Sequence, residues 1–163
     1  MPIPKKIINF LEKAKIKYEI VKHRQVYTAF DKAQTLCLPE KMVGKTLILK
    51  TDKNLVISLI PANKNLDKNK FKKLAHPLCG YPKKLEFVSE KIIKNKLKGV
   101  KVGAIPPLGP LWELPTFVDR LLMIQPKIII NGGDYNWSIK INPRILKKII
   151  PDLVIGSFSK TRK

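Results

Sequence analysis

The seven residues Gly103-Ala104-Ile105-Pro106-Pro107-Leu108-Gly109 fit neither a helix interior nor a central strand. The prolines remove two backbone donors and fix φ, while the glycines let backbone approach a neighbour or a ligand closely. The pattern predicts a stiff loop joining segments that read as strands. Such a loop, with unpaired N–H groups, can hold a small carbonyl-bearing group in one orientation. The same residues also serve as a wide turn. The stretch follows Val43-Gly44-Lys45-Thr46-Leu47 by about sixty positions.

A chain of 163 residues, 44% of them hydrophobic, can bury its own core and fits a single domain spanning 1–163. Lys and Arg number 33 against 12 Asp and Glu, a net charge of +21. That excess predicts an anionic partner, nucleic acid before an anionic membrane surface. AT-rich coding, which favours Lys, Ile and Asn, is the alternative source of the charge. No block of five or six basic residues occurs, which counts against a chain whose charge is its whole function. No apolar run approaches the roughly 18 residues that cross a bilayer, and the N-terminus lacks a signal-peptide pattern. Cys37 and Cys79 form no CxxC pair, and with only His23 and His76 they make no recognisable metal site. A cytoplasmic protein with reduced thiols, no metal and no cofactor is expected.

Helices are predicted from Pro4 to Lys15, from a Thr28 cap to Thr35, after Asp67, after Ser89, and from Asn142-Pro143 to a stop at Pro151. Tyr18–Val21, Thr46–Lys50, Val56–Ile60, Val100–Ile105, Thr116–Asp119, Lys127–Asn131, Ser138–Ile141 and Asp152–Ile155 read as strands, the second and third as a hairpin. Residues 157–163 read as a basic tail. Strands and helices mix without βαβ alternation. The pattern predicts one α+β domain, a mixed, mostly antiparallel sheet with helices around it.

Lys45 opens an apolar strand, where its ammonium could hold a phosphate, polarise an ester carbonyl or simply be solvated at a turn. His23 and Cys37 are the candidate base and nucleophile, but no Ser-His-Asp or Cys-His arrangement can be read around them. Asp119 could bind a substrate amine, pair with Arg120 or cap a turn. Gly132-Gly133 is a second place where backbone could approach a ligand, or a turn. Trp112, Tyr135 and Trp137 could stack on a base or pack in the core. There is no P-loop, GxGxxG or HExxH.

In order along the chain, these pieces resemble the YbaK/prolyl-tRNA-synthetase editing-domain family of trans-acting aminoacyl-tRNA deacylases. The resemblance is carried by Tyr18–His23, Thr28 and the helix bearing Ala33, Gly44-Lys45-Thr46-Leu47, and a G-x-x-x-P loop at Gly103-Ala104-Ile105-Pro106-Pro107 closed by Leu108-Gly109. Pro115–Asp119, Asn131-Gly132-Gly133 and the strand and helix of Ser138–Ile150 complete it. It implies a barrel-like sheet surrounded by helices. It also implies hydrolysis of the ester of a tRNA bearing a small wrong amino acid, on tRNA-Pro or a similar tRNA, without a covalent nucleophile. Lys45 would be the catalytic residue. Thr28, Gly103, Ala104, Ile105, Pro106, Pro107, Gly109, Asp119, Asn131 and Gly132 would shape the substrate site. The implied partner is the acceptor end of aminoacyl-tRNA, with room for an associated synthetase. A non-catalytic tRNA-binding or synthetase-associated module is the alternative. The chain departs from the family pattern at the second proline, at Leu108 where a Phe is expected, and at Asn131.

Overall fold

The computed structural model describes residues 3–52, 54–79 and 84–162. The side chains of His76 and Cys79 lie outside the described residues. Helix α1 (Lys5–Lys13) leads to strand β1 (Glu19–Lys22) and helix α2 (Ala29–Leu36). Strands β2 (Gly44–Thr51), β3 (Leu55–Pro61) and β4 (Lys64–Leu66) follow, then α3 (Lys68–Cys79), β5 (Leu85–Phe87) and α4 (Glu90–Lys96). Beyond the Gly103 loop come β6 (Thr116–Asp119), α5 (Arg120–Met123), β7 (Ile128–Asp134), β8 (Trp137–Ile141), α6 (Ile145–Ile149), β9 (Val154–Gly156) and β10 (Ser159–Thr161).

The helices start where their caps direct. The Thr28 hydroxyl accepts from the Asp31 amide at 3.0 Å, and the Ser89 hydroxyl from the Ile92 amide at 3.4 Å. Ile7 and Leu11, four residues apart, put one face of α1 into the core. Thr51 and Asn54 close the β2–β3 hairpin through a 2.8 Å backbone hydrogen bond.

The mixed α+β expectation holds, but the strands form three sheets, and these do not close into a barrel. A five-stranded sheet runs β5-β2-β3-β6-β9, a three-stranded one β1-β8-β7, and β10 pairs with β4. The β3–β6 and β6–β9 pairings are parallel and the others antiparallel. A single bridge, Val43 to Ile129, links the two larger sheets. The β2 register pairs Lys45 with Ile60 and Thr46 with Leu59. Side chains alternate across a strand, so Lys45 and Thr46 face opposite sides of the sheet.

Two readings are corrected. Val100–Ile105 is a turn, because Gly103 sits at φ +88° and the Ala104 amide bonds back to the Lys101 carbonyl. The basic tail contains β10, and Phe158 just before it is fully buried against Phe71 and close to Asp119. The short strands β4 and β5 and the one-turn helix α5 are additions to the sequence reading; three or four residues give too little periodicity to detect.

Candidate functional site

The Gly103 loop is a wall of the fold. Residues 104–109 are all buried. Its first half is pinned to the β7–β8 hairpin: the Lys101 amide donates to the Gly133 carbonyl at 3.0 Å, and the Gly133 amide returns a bond to the Ala104 carbonyl at 2.8 Å. The Asn131 side-chain amide donates to the Ile105 carbonyl at 3.1 Å and to the Thr46 hydroxyl at 3.4 Å. The amides of Gly103 and Ile105 donate to no acceptor among the described residues. They and the Thr46 O–H are the unspent donors here.

These groups border a cleft of about 220 Å³ lined by Thr46, Ile48, Val88, Ile93, Gly103, Ile105 and Asn131. It is mostly apolar with a few convergent donors, the usual composition of a small-ligand site. Two larger hollows, near Pro110 and Ile150 and near Tyr18 and Ile20, contain neither the loop nor Asn131. Behind Asn131 lies a second cavity of about 10 Å³, bordered by Thr28, Lys32, Gly103, Ala104, Asn131 and Asp134.

Lys32 is the residue that the sequence reading missed. It is 5% exposed, and its Nζ donates to Asn131 Oδ1 at 2.6 Å. Burial pushes its pKa down to about 8. The available signal was its place with Ala29 and Leu36 on the apolar face of α2, three and four residues away. Asp134 is held by Lys101 at 2.9 Å and by the Asn136 amide at 3.0 Å. Burial alone would raise the Asp134 pKa, but those two donors outweigh it and hold the carboxyl below its usual value.

Among the described residues His23 and Ser138 form the one arrangement resembling a nucleophile–base pair, with Nε2 2.9 Å from Oγ. Ser138 is fully buried and borders none of these spaces. The other His23 nitrogen meets the Arg24 carbonyl, and burial lowers the ring's pKa, which keeps it neutral. This is a packing hydrogen bond. Cys37 is exposed at the end of α2. Among the described residues no group of three His, Cys, Asp or Glu could hold a metal, and no helix is long and apolar enough to cross a membrane.

Of the residues expected at the site, Thr28, Gly103, Ala104, Ile105 and Asn131 come together. Lys45 does not join them. Its half-buried Nζ donates to the Lys64 carbonyl at 2.8 Å, on the other side of the sheet from Thr46. Burial and then the nearby Arg162 lower its pKa, against the pull of Glu40. Pro106 and Pro107 are buried behind the loop and border neither space. Gly109 is a packing residue: a Cβ there would lie 2.1 Å from both the Leu114 carbonyl and the Thr116 hydroxyl. Gly132 faces Ile3 and the Trp137 carbonyl, which lets the start of α1 lie against β7. Asp119 is fully buried, with its oxygens accepting from the Leu121 and Phe158 amides. It ties α5 and β10 to β6, and among the described residues it forms no ion pair with Arg120.

Residues 23–149 match the aminoacyl-tRNA editing domain. The chain belongs to this family. It is 30% identical over 102 residues to the proline–tRNA ligase of Thermoanaerobacter sp. (strain X514), a match covering 63% of this chain and 17% of the ligase. The chain therefore corresponds to a small part of that enzyme. The hypothetical protein APE2540 has the same fold at a TM-score of 0.82 and 24% identity, covering 95% of this chain and 99% of the other. A candidate trans-editing enzyme for prolyl tRNA synthetase matches at a TM-score of 0.77 and 21% identity, covering 95% and 96%. At these identities the structural likeness speaks to fold alone.

Proposed function

We propose that this editing domain, spanning the whole chain, hydrolyses the ester of a tRNA carrying a small wrong amino acid, on tRNA-Pro or a similar tRNA in the cytoplasm. The observation that carries the reading is the 220 Å³ cleft, in which the Thr46 hydroxyl and the Gly103 and Ile105 amides are unspent donors beside a small apolar space. An aminoacyl ester is already activated. Donors aimed at the developing oxyanion, together with a positioned water or ribose hydroxyl, supply catalysis without a side-chain nucleophile. Thr46, Gly103 and Ile105 polarise the carbonyl, and Asn131 holds the loop at its working distance from β2. Lys45, on the opposite side of the sheet near Arg162, takes the phosphate-holding role, and the net charge of +21 draws in the acceptor end.

The test is incubation with tRNAs charged with alanine, serine or cysteine, followed by acid quench. Free amino acid and tRNA are expected, with no acyl group on the protein. No release above the uncatalysed rate from any charged tRNA refutes the editing reading. A trapped acyl-protein refutes catalysis without a nucleophile.

A further inference from the structure

Lys32 is a buried cation without a countercharge among the described residues. An ammonium carries three donors, and the one bond the Lys32 ammonium makes among the described residues goes to a neutral amide, Asn131 Oδ1. The carboxylate on the same cavity wall, Asp134, is already paired with Lys101 and the Asn136 amide. His23, which senses the Lys32 charge, is held neutral by burial, and the two phenols on the cavity wall, Tyr27 and Tyr135, make no hydrogen bond to the ammonium among the described residues. A pKa of about 8 leaves Lys32 mainly cationic at neutral pH. Around it α2 packs with Val43, Ala62 and Ile129, an apolar environment that solvates a charge poorly.

The empty space points the same way. The cavity beside Lys32, at about 10 Å³, has room for roughly one water-sized atom and none for a phosphate group. Gly103 and Asn131 border both this cavity and the 220 Å³ cleft, so among the described residues these two alone separate the two spaces. The Asn131 side chain, bonded to Thr46, Ile105 and Lys32, stands between the cleft and the ammonium, so an acyl side chain in the cleft would reach Lys32 by taking the place of Asn131 Oδ1. A carboxylate oxygen supplies the missing countercharge, whereas a hydroxyl or an amide does not.

We propose, building on the editing reading, that Lys32 is a specificity-determining residue that pairs with the side-chain carboxylate of an aspartyl group esterified to tRNA. Aspartyl is small enough for the cleft and is the shortest side chain ending in a carboxylate. Asn131 positions the Lys32 ammonium and forms the gate between the two spaces.

The test uses adenosine carrying a 3′-amide-linked aspartyl, asparaginyl or alanyl group. These analogues cannot be hydrolysed, and the first two differ essentially in charge alone. Calorimetric titration of the wild-type chain is expected to show aspartyl binding at least tenfold tighter than asparaginyl, and Lys32→Met is expected to abolish that preference. Equal affinities in the wild type overturn the proposal without recourse to the variant. So does a preference that survives Lys32→Met. Adenosine 5′-monophosphate is the second arm: if Lys32→Met weakens its binding by the same factor, the anion is a phosphate and the proposal fails. Hydrolysis of aspartyl- and alanyl-tRNA is followed in parallel. Aspartyl-selective binding without hydrolysis of either ester removes the editing reading and leaves the Lys32 assignment. Hydrolysis without aspartyl preference does the reverse.

Discussion

Replacing Lys32 with methionine removes a charge that the fold pays to bury. The folded-state pKa of about 8 lies some 2.5 units below the ordinary 10.5. At 1.36 kcal/mol per unit the ammonium costs about 3 kcal/mol of stability when fully protonated in both states. The unfolded chain holds this proton more tightly, so the sign is fixed. Below pH 8 the whole cost is present, between 8 and 10.5 stability rises as the folded state releases the proton, and above 10.5 the cost is gone. From pH 7 to pH 9 the wild type should gain about 1 kcal/mol relative to Lys32→Met. The variant also leaves Asn131 Oδ1 without its donor, a loss of about 1–3 kcal/mol, but that term does not depend on pH and cancels in the difference. Burial is the main cause that holds the His23 pKa below its ordinary value, and Lys32 adds to it, so the wild-type ring is neutral across this window. Urea unfolding of both proteins at pH 7 and pH 9, followed by circular dichroism, reads the difference. Parallel pH dependence in the two proteins would refute the description of Lys32 as a buried, uncompensated cation.

Thr46→Val keeps the shape of the strand and removes the hydroxyl beside Asn131; single-turnover deacylation should slow by about tenfold or more with an unchanged dichroism spectrum, and an unaltered rate would take Thr46 out of the chemistry. Gly103→Val should lower both stability and turnover: a Cβ there has room, 3.6 Å from the Tyr135 ring, but φ of +88° strains a branched residue by about 1–3 kcal/mol. Thermal melts and deacylation rates check it, and a variant that matches the wild type in both would show the loop to be a passive connector. Lys45→Ala should raise KM for charged tRNA more than it lowers kcat and should flatten the salt dependence of tRNA binding, because its Nζ sits away from the cleft. A fall in kcat alone would return Lys45 to the ester carbonyl.

The helices and long strands were legible because their signals are local. Thr28 and Ser89 announce their helices through capping hydroxyls, and the β2–β3 hairpin through two aliphatic runs around Thr51–Asn54. Gly103 and Ile105 stood out because an interrupted strand pattern draws attention to its breaks, and Asn131 only through the family resemblance; the fold places all three on one cleft. Residue order does not say which face of the sheet the Lys45 side chain takes; the register with Ile60 sets it opposite Thr46. Lys32 was passed over because a lysine among many lysines carries no signal until the apolar face it occupies is drawn. Asp119 and Phe158 acquire their roles only through each other, across 39 residues, when the Phe158 amide closes on the carboxylate.

The central claim is that the cleft between β2 and the Gly103 loop hydrolyses wrongly charged tRNA. The direct measurement is the rate of amino-acid release from tRNA-Pro charged with a small wrong amino acid, set against the same tRNA charged with proline, under single-turnover conditions with enzyme in excess. Rapid release of the wrong amino acid, sparing of the prolyl ester, and loss of the rapid phase in Thr46→Val are expected. Release of both esters at the same rate, or of neither, would contradict the claim.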